Sequence, residues 1–177
     1  MKPQSFNSVG APRSVVLRAL RFQEIPVVLR LIRRAIEVGC RGTYDAHQRN
    51  AVWNGYAQTL FAESVGPFET IVAEAGGGLV GVAQWDAADE RLRALFVDGD
   101  RQRSGVGRTL LSEVEARARG HGCARLRGAM SLNAVPFYES EGFRATAGPE
   151  QLRTVGILVP IVRMEKALPF SHVTPRL

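Results

Sequence analysis

Three arginines surround two closely spaced glycines in the stretch RQRSGVGRTL, which runs from Arg101 to Leu110. Glycine at positions 105 and 107 lacks a Cβ atom, so an anion can approach the backbone there. The apolar residues that follow predict a helix that begins within Gly105 to Arg108. Its first N–H groups are unpaired, and the aligned peptide dipoles add roughly half a positive charge. These features favour the binding of an anion such as a phosphate.

Other interpretations of this glycine-rich turn stay open from the residues alone. A dinucleotide-binding fingerprint would need a third glycine near position 110, where the chain has Leu110. A P-loop would need Gly-Lys-Ser or Gly-Lys-Thr, which the sequence lacks. The remaining alternative is a tight strand-to-helix turn whose arginines serve only solubility.

Two segments, in the same order, resemble the GNAT superfamily of N-acetyltransferases. In RLRALFVDGDRQRSGVGRTLLSEVEARARGHG, Gln102, Gly105 and Gly107 stand in the family's Q/R-x-x-G-x-G/A arrangement. In SLNAVPFYESEGF, an Asn precedes a helix that carries an aromatic-Tyr pair, and Gly-Phe follows. The resemblance extends from about Ala83 to Phe143, while the first part of the chain matches only in its order of helices and strands.

The resemblance implies a site for acetyl-CoA as co-substrate. It implies that backbone amides from Arg103 to Arg108 hold the cofactor's pyrophosphate and that Asn133 hydrogen-bonds the pantetheine arm. It also implies that a strand edge lies beside that arm as if the arm were an added strand. No metal is expected. The expected cofactor-binding residues are Leu95, Phe96, Val97, Gln102, Arg103, Ser104, Gly105, Val106, Gly107, Arg108, Asn133 and Phe137.

Acetyl transfer to an amine needs a polarised thioester carbonyl, a deprotonated amine and a stabilised thiolate. The resemblance implies that a backbone N–H near Val97 polarises the carbonyl, like half an oxyanion hole. We expect Tyr138 to be the catalytic acid, because a phenol with a pKa of about 10 can donate to a thiolate whose conjugate acid has a pKa of about 8.5. The alternative is a structural tyrosine packed beside Phe137.

The group that takes up the amine proton stays open. An alkyl amine with a pKa of about 10.4 is almost wholly protonated at neutral pH, so the site must help. Some members of the superfamily, notably those acting on histones, carry a Glu near the start of the strand corresponding to Arg91–Val97, and this chain has Arg91 at the matching position. The other candidates, all equally well explained as solvated or inert residues, are Glu74, Asp86, Glu90, His47 and His121.

The acceptor amine is expected to enter beside the first two predicted helices and the loop between them, where the superfamily varies. Cys40, Tyr44, Trp53 and Tyr56 could shape a pocket there. Each is explained at least as well as a core or filler residue. The identity of the acceptor therefore stays open.

The elements that position these residues follow from hydrophobic spacing and turn residues. Helices are predicted from Ile25 to Gly39, from an Asp45 cap to Gly66 and Pro67, from a start within Gly105 to Arg108 to a stop at Gly120 and Gly122, and at Asn133–Glu141. Strands are predicted at Ser14–Ala19, Thr70–Glu74, Leu79–Trp85, Arg91–Val97, Arg125–Ala129 and Ile157–Glu165, with Pro160 interrupting the last and one more strand optional near Phe143 to Ala147. This order predicts an α/β protein of the α+β type. The expected GNAT-like sheet is mixed, mostly antiparallel and twisted, with helices on both faces.

Composition bounds the class of protein. With 177 residues, of which 45% are hydrophobic and 23% charged, the chain predicts one acetyltransferase domain at 14–168, between a flexible N-terminal tail at 1–13 and a C-terminal tail at 169–177. The formal charge of +6 favours an anionic ligand. Two cysteines without metal-ligand spacing, and no signal peptide or membrane-length apolar run, predict a cytoplasmic protein.

We therefore expect an acyltransferase that moves the acetyl group of acetyl-CoA directly to a primary amine of a small molecule or peptide. The alternatives are a non-catalytic acyl-CoA sensor on the same fold and a basic nucleic-acid-binding module. No motif for base contacts supports the latter. The expected partner is the amine acceptor, with no nucleic acid and no membrane, and a homodimer is one option for the assembly.

Overall fold

The computed structural model describes residues 14–63 and 68–169. The predicted N-terminal tail at 1–13, the predicted helix end at Gly66 and Pro67, and residues 170–177 of the predicted C-terminal tail lie outside these ranges. The helices are α1 (Ile25–Gly39), α2 (Ala46–Glu63), α3 (Val106–Gly120) and α4 (Val135–Ser140). The strands are β1 (Val16–Ala19), β2 (Glu69–Ala75), β3 (Gly78–Asp86), β4 (Arg91–Val97), β5 (Arg125–Ser131), β6 (Arg144–Ala145), β7 (Glu150–Thr154) and β8 (Ile157–Ala167).

The eight strands form one sheet in the order β1-β2-β3-β4-β5-β8-β6, and β7 also pairs with β8. Six of the seven neighbouring pairs are antiparallel, and short turns join three of them, namely β2 with β3, β3 with β4 and β7 with β8. The one parallel pair is β4 with β5, which are joined through the crossover helix α3. The predicted mixed, mostly antiparallel sheet is confirmed.

Helices cover both faces of the sheet, as predicted. The helix α1 buries one stripe at helical spacing, which includes Val28, Ile32 and Ile36, against Val72 and Val82 of the central strands. On the opposite face, α3 and α4 pack over a second cluster, whose largest buried side chains include Trp85, Leu110, Leu111 and Leu126. Each such fully buried side chain contributes about 1.5–3 kcal/mol to folding.

The predicted cap at Asp45 is confirmed. Its carboxylate accepts a hydrogen bond from the Gln48 backbone N–H at 2.8 Å, and the Gln48 side-chain oxygen accepts one from the Asp45 N–H at 3.2 Å. This reciprocal capping box satisfies two donors at the start of α2.

The prediction that Pro160 interrupts the last strand is wrong. The strand β8 runs unbroken from Ile157 to Ala167 and pairs through Pro160 with Gln151 of β7. Pairing with β5 begins only at Ile161, so Pro160 has a strand neighbour on one side. Proline is tolerated at such an edge position, because its missing N–H removes no ladder hydrogen bond there.

Several other details differ from the prediction. The helix predicted at Asn133–Glu141 starts later, since a 3-10 turn occupies Leu132–Ala134, and Pro136 fits the first turn of α4. The strand β5 extends two residues past the predicted Ala129. The optional strand exists as the short β6, whereas β7 was not predicted because its sequence EQLRT lacks an apolar run.

Candidate active site

The neighbouring strands β4 and β5 separate soon after they meet. Their one ladder pair is Arg91 with Arg127. Beyond it, β4 stays paired with β3 as far as Val97, and β5 stays paired with β8 as far as Ser131. Within the described residues, the edge of β4 that faces β5 therefore has no strand partner toward Val97. Such an edge can accept an extended, peptide-like ligand, and it includes the predicted Leu95, Phe96 and Val97.

A β-bulge lies in β4 at Arg93. The ladder with β3 steps from Gln84 opposite Ala94 to Trp85 opposite Leu92, which leaves Arg93 as the extra residue. Bulges bend a strand and redirect its side chains. The carbonyl of Arg93 accepts a hydrogen bond from the Tyr56 hydroxyl at 3.0 Å. The bulge depends on the register of the two strands, so sequence analysis had no signal for it.

The helix α3 begins at Gly105, which has a φ of +89°. This left-handed conformation strains any residue with a Cβ atom, which explains the glycine. The Gly105 carbonyl accepts from the N–H and the hydroxyl of Thr109, at 3.0 and 3.1 Å. No side chain in the described part of the chain caps this helix start. Its first N–H groups therefore stay available to an anion.

Gly107 lies close to three other expected cofactor-binding residues. A Cβ atom placed on Gly107 would lie 3.5 Å from Cζ of Phe137, 3.6 Å from Cγ2 of Val97 and 3.7 Å from Cδ2 of Leu95. These are ordinary van der Waals distances. The end of β4, the first turn of α3 and the start of α4 thus meet at one point, and the bare glycine keeps a narrow space there.

Gln102 and Asn133 meet at a second point, the C-terminal end of α1. A Cβ atom on Gly39 would lie 3.2 Å from Nε2 of Gln102 and 3.7 Å from Nδ2 of Asn133. The thiol of Cys40 donates to Oδ1 of Asn133 at 3.4 Å. Cys40 was expected on the acceptor side and Asn133 on the cofactor side, and the two side chains are in contact.

The other predicted loop residues lie on the surface. Arg103 is exposed and has a φ of +60°. Ser104 donates to the carbonyl of Arg101. The guanidinium of Arg108 pairs with Glu141 at 2.8 Å. Val106 is the exception, since its side chain is buried in the core beneath α3.

A cavity of about 340 Å³ lies between the sheet and the helices α1 and α2. Cys40, Tyr44 and Tyr56 line it, as sequence analysis suggested, and Trp53 does not. The indole of Trp53 donates to the Leu29 carbonyl at 3.4 Å instead. The lining residues that sequence analysis missed come from distant segments and include Gln84, Met130, Leu152, Thr154, Val159 and Ile161.

Tyr44 closes one side of the cavity by joining three segments. Its hydroxyl donates to the Pro160 carbonyl at 2.6 Å and accepts from the Leu132 N–H at 3.0 Å. Burial raises the pKa of Tyr44 above its ordinary value. The side chain therefore links the loop after α1 to β8 and to the turn that follows β5.

Tyr138 lines the same cavity from α4 and is 5% exposed. Its ring makes edge contacts with Phe137 and Phe143, with centroids 5.1 and 5.3 Å away. Burial, and secondarily the nearby Tyr56, raise the pKa of Tyr138 well above its ordinary value. The phenol therefore stays protonated at neutral pH and can act as a proton donor.

No Asp, Glu or His among the residues that the structure describes lines this cavity. His121 lies against Trp85, with ring centroids 5.4 Å apart. The carboxylates considered as bases form ion pairs, namely Glu74 with Arg18, Asp86 with Arg93 and Glu90 with Arg125. A hydrogen bond from the Ala124 N–H is the main cause that lowers the pKa of Glu90. Arg91, by contrast, does line the cavity.

Metal-ligating side chains do not cluster in threes or more within residues 14–63 and 68–169. Of the helices in those ranges, none combines the length and apolarity needed to cross a bilayer.

Residues 42–168 match the family described as the acetyltransferase (GNAT) domain. The chain is similar to a GCN5-related N-acetyltransferase from Rhodopseudomonas palustris, with a TM-score of 0.80 and 25% identity over 88% of this chain and 98% of that one. It is also similar to the PaiA N-acetyltransferase of Thermoplasma acidophilum in complex with coenzyme A, with a TM-score of 0.69 and 19% identity over 87% of this chain and 99% of that one. A third similar structure is YncA of Salmonella typhimurium with its cofactor acetyl-CoA. Its TM-score is 0.61, with 18% identity over 92% of this chain and 98% of that one. No curated protein sequence matches the chain significantly.

Proposed function

The chain belongs to the GNAT family of acetyltransferases, and we propose that it transfers the acetyl group of acetyl-CoA directly to a primary amine of a small molecule or peptide. The observation that carries this proposal is that two surfaces able to bind a ligand, the unpaired edge of β4 and the uncapped start of α3, adjoin each other. The unpaired edge of β4 ends at Val97, and Val97 lies beside Gly107 in the uncapped first turn of α3. A thin amide-containing chain that ends in a diphosphate suits both surfaces at once.

In this proposal, the backbone amides from Arg103 to Arg108 bind the pyrophosphate. The bare Cα of Gly107 supports the fit, because a Cβ atom there would fill the space between α3 and Phe137. Leu95, Phe96 and Val97 lie along the pantetheine arm, and Asn133 bonds it from the other side. The complete proposed cofactor-binding set is Leu95, Phe96, Val97, Gln102, Arg103, Ser104, Gly105, Val106, Gly107, Arg108, Asn133 and Phe137.

The acceptor enters the cavity beside α1 and α2. Acetyl-CoA supplies the thioester, whose C–S bond breaks as a C–N bond to the amine forms. A main-chain N–H near Val97 polarises the carbonyl oxygen, and Tyr138 gives its proton to the departing sulfur. The burial of Tyr138, which keeps the phenol protonated, supports this role.

One proton must also leave the amine. Because no carboxylate or imidazole of the described residues lines the cavity, we infer that this proton leaves through water. Because the amine enters mostly protonated, it loses this proton to water before attack and a second one as the amide forms. The second proton returns to Tyr138 and replaces the one that the sulfur gains, so one proton is released overall. The same observation favours the second candidate, an acyl-CoA sensor that binds the cofactor without turning it over.

The proposal also covers the extent of the domain, the cellular compartment and the role of the net charge. We infer a single acetyltransferase domain over residues 14–168. Both cysteines are buried free thiols, as a reducing cytoplasm would maintain. We infer that the net positive charge of the chain attracts the cofactor's phosphates.

Thiol release from acetyl-CoA, measured against amino acids, polyamines, aminoglycosides and peptide N-termini, tests the proposed function. Acetylation of at least one amine, with one free thiol released per amide formed, is the expected result. Thermal stabilisation by acetyl-CoA with no acceptor modified would instead favour the sensor. A ligand at 100 times its dissociation constant adds about 2.7 kcal/mol of stability, which a thermal shift readily detects.

A further inference from the structure

Arg91 lies at the boundary between two hollows on the same side of the sheet. It lines the cavity that also contains Tyr138, and it lines a second groove of about 330 Å³. The groove lies where β4 and β5 make their one ladder pair and continues onto β8. Its other lining residues are Arg127, Gly128, Thr146, Arg163, Met164 and Glu165.

Positive charge dominates both hollows. The groove contains three arginines and one glutamate. The cavity contains Arg91 and Arg93, and no Asp or Glu of the described residues lines it. The charge of Arg93 is offset by Asp86 at 3.1 Å. A ligand that enters the cavity therefore meets uncompensated positive charge at Arg91.

Arg91 and Arg127 stand out among the groove's arginines. Arg163 is neutralised by Glu150 at 2.6 Å. Arg127 donates from Nε to the carbonyl of Asp89 at 3.0 Å, which orients the side chain without neutralising it. Within residues 14–63 and 68–169, neither Arg91 nor Arg127 forms an ion pair with a carboxylate. Their backbones face each other across the ladder, and both side chains line the groove without a carboxylate partner within ion-pair distance. Glu165, the cross-strand neighbour of Arg127, pairs with Arg125 at 3.8 Å.

We propose that the acceptor amine also carries a carboxylate, as an amino acid does, and that Arg91 and Arg127 bind this carboxylate while the amine points toward Tyr138. The inference rests on the proposed function and names its substrate class. Guanidinium groups bind carboxylates with paired, charge-assisted hydrogen bonds. A polyamine or aminoglycoside would instead bring a second positive charge against Arg91.

The apolar part of the cavity indicates the rest of the acceptor. Leu152, Val159 and Ile161 line the wall formed by β7 and β8. An amino acid with an apolar side chain can bury that side chain there while its carboxylate stays in the basic groove. Leucine and leucinamide form a matched pair of probes, because they differ only in the carboxylate. The amine of leucinamide is the less basic of the two, so unassisted chemistry favours the amide.

The test compares kcat/KM for leucine, leucinamide and putrescine with the intact chain. We expect leucine to exceed leucinamide by about tenfold or more, the scale of one well-formed ionic contact, and putrescine to be the poorest acceptor. Arg91→Gln should remove the preference by lowering kcat/KM for leucine while leaving that for leucinamide nearly unchanged. Arg30→Gln, which alters an exposed arginine on α1, is the matched control and should keep the preference. The Kd for acetyl-CoA should be the same in all three proteins.

Equal or better use of leucinamide by the wild-type chain would overturn the inference, and this comparison needs no variant to fold. A preference that survives Arg91→Gln would overturn it as well. Acetylation of putrescine or leucinamide in either case would leave the proposed function standing. Failure to acetylate any amine, despite binding of acetyl-CoA, would overturn both proposals together.

Discussion

Gly107 on α3 and Phe137 on α4 lie close enough that a single Cβ atom on the glycine would stand 3.5 Å from Cζ of the phenylalanine ring. The helix that follows β4 and the helix that follows β5 therefore converge at the mouth of the gap between those strands. A larger residue at 107 would fill the space that the proposed cofactor path crosses between the β4 edge and the start of α3.

Replacing Gly107 with alanine should weaken acetyl-CoA binding by about tenfold or more, or about 1.4 kcal/mol. Its Cβ atom would make only ordinary contacts of 3.5–3.7 Å, so the protein should fold normally. Calorimetric titration gives the Kd. Gly120→Ala is the matched control, since it adds the same methyl group to α3 with nothing within 4 Å. Equal Kd values for the two variants would remove Gly107 from the binding site.

Tyr138→Phe should lower kcat at least tenfold, since general acid catalysis typically contributes about 10²–10⁴ in rate, with little change in the Kd for acetyl-CoA. The variant keeps the ring contacts with Phe137 and Phe143 and removes only the hydroxyl. Steady-state kinetics and thermal unfolding on the same sample separate catalysis from folding. An unchanged kcat would leave Tyr138 as a packing residue.

The pH dependence of kcat provides a separate test of the same tyrosine. A phenol is active as an acid only while protonated, so its loss appears as a descending limb at high pH. Burial raises the pKa of Tyr138 above its ordinary value of 10.0, which shifts the descending limb to higher pH. We expect kcat to rise and then stay level up to about pH 10. A fall in kcat centred well below that pH, in a protein that remains folded, would argue against Tyr138 as the acid.

Val155→Asn should stabilise the hairpin between β7 and β8. Val155 and Gly156 both have positive φ, at 47° and 83°, which is the pattern of a type I′ turn. A β-branched residue is strained in this region, whereas Asn tolerates it. Because Val155 is 50% exposed, little apolar burial is lost. We expect a gain of about 1 kcal/mol in thermal unfolding with unchanged kcat, and a lowered Tm would show that the turn is not strained.

Features whose signals are local could be predicted from the sequence. The helix cap at Asp45 and the start of α3 at Gly105 each depend on a few consecutive residues. Propensity and spacing are sufficient there. The family resemblance added the mixed, mostly antiparallel character of the sheet and the expected role of the loop after β4.

Features that depend on pairing between distant segments were not predicted. The bulge at Arg93 exists only because of the register between β3 and β4. The proposed acceptor cavity collects residues from eight helices and strands, so no single stretch of sequence reveals it. Arg91 was noted only as a departure from the glutamate of some relatives. Its position between the cavity and the basic groove required the three-dimensional arrangement.

The central claim is that main-chain amides at residues 103–108 bind the cofactor's pyrophosphate at the start of α3. Titration of ¹⁵N-labelled protein with coenzyme A, followed by amide chemical shifts, tests it most directly. The account predicts that the largest changes fall on residues 103–108, with smaller ones along Leu95–Val97, and that they saturate together. Saturable binding that leaves the amides of 103–108 unmoved would contradict it.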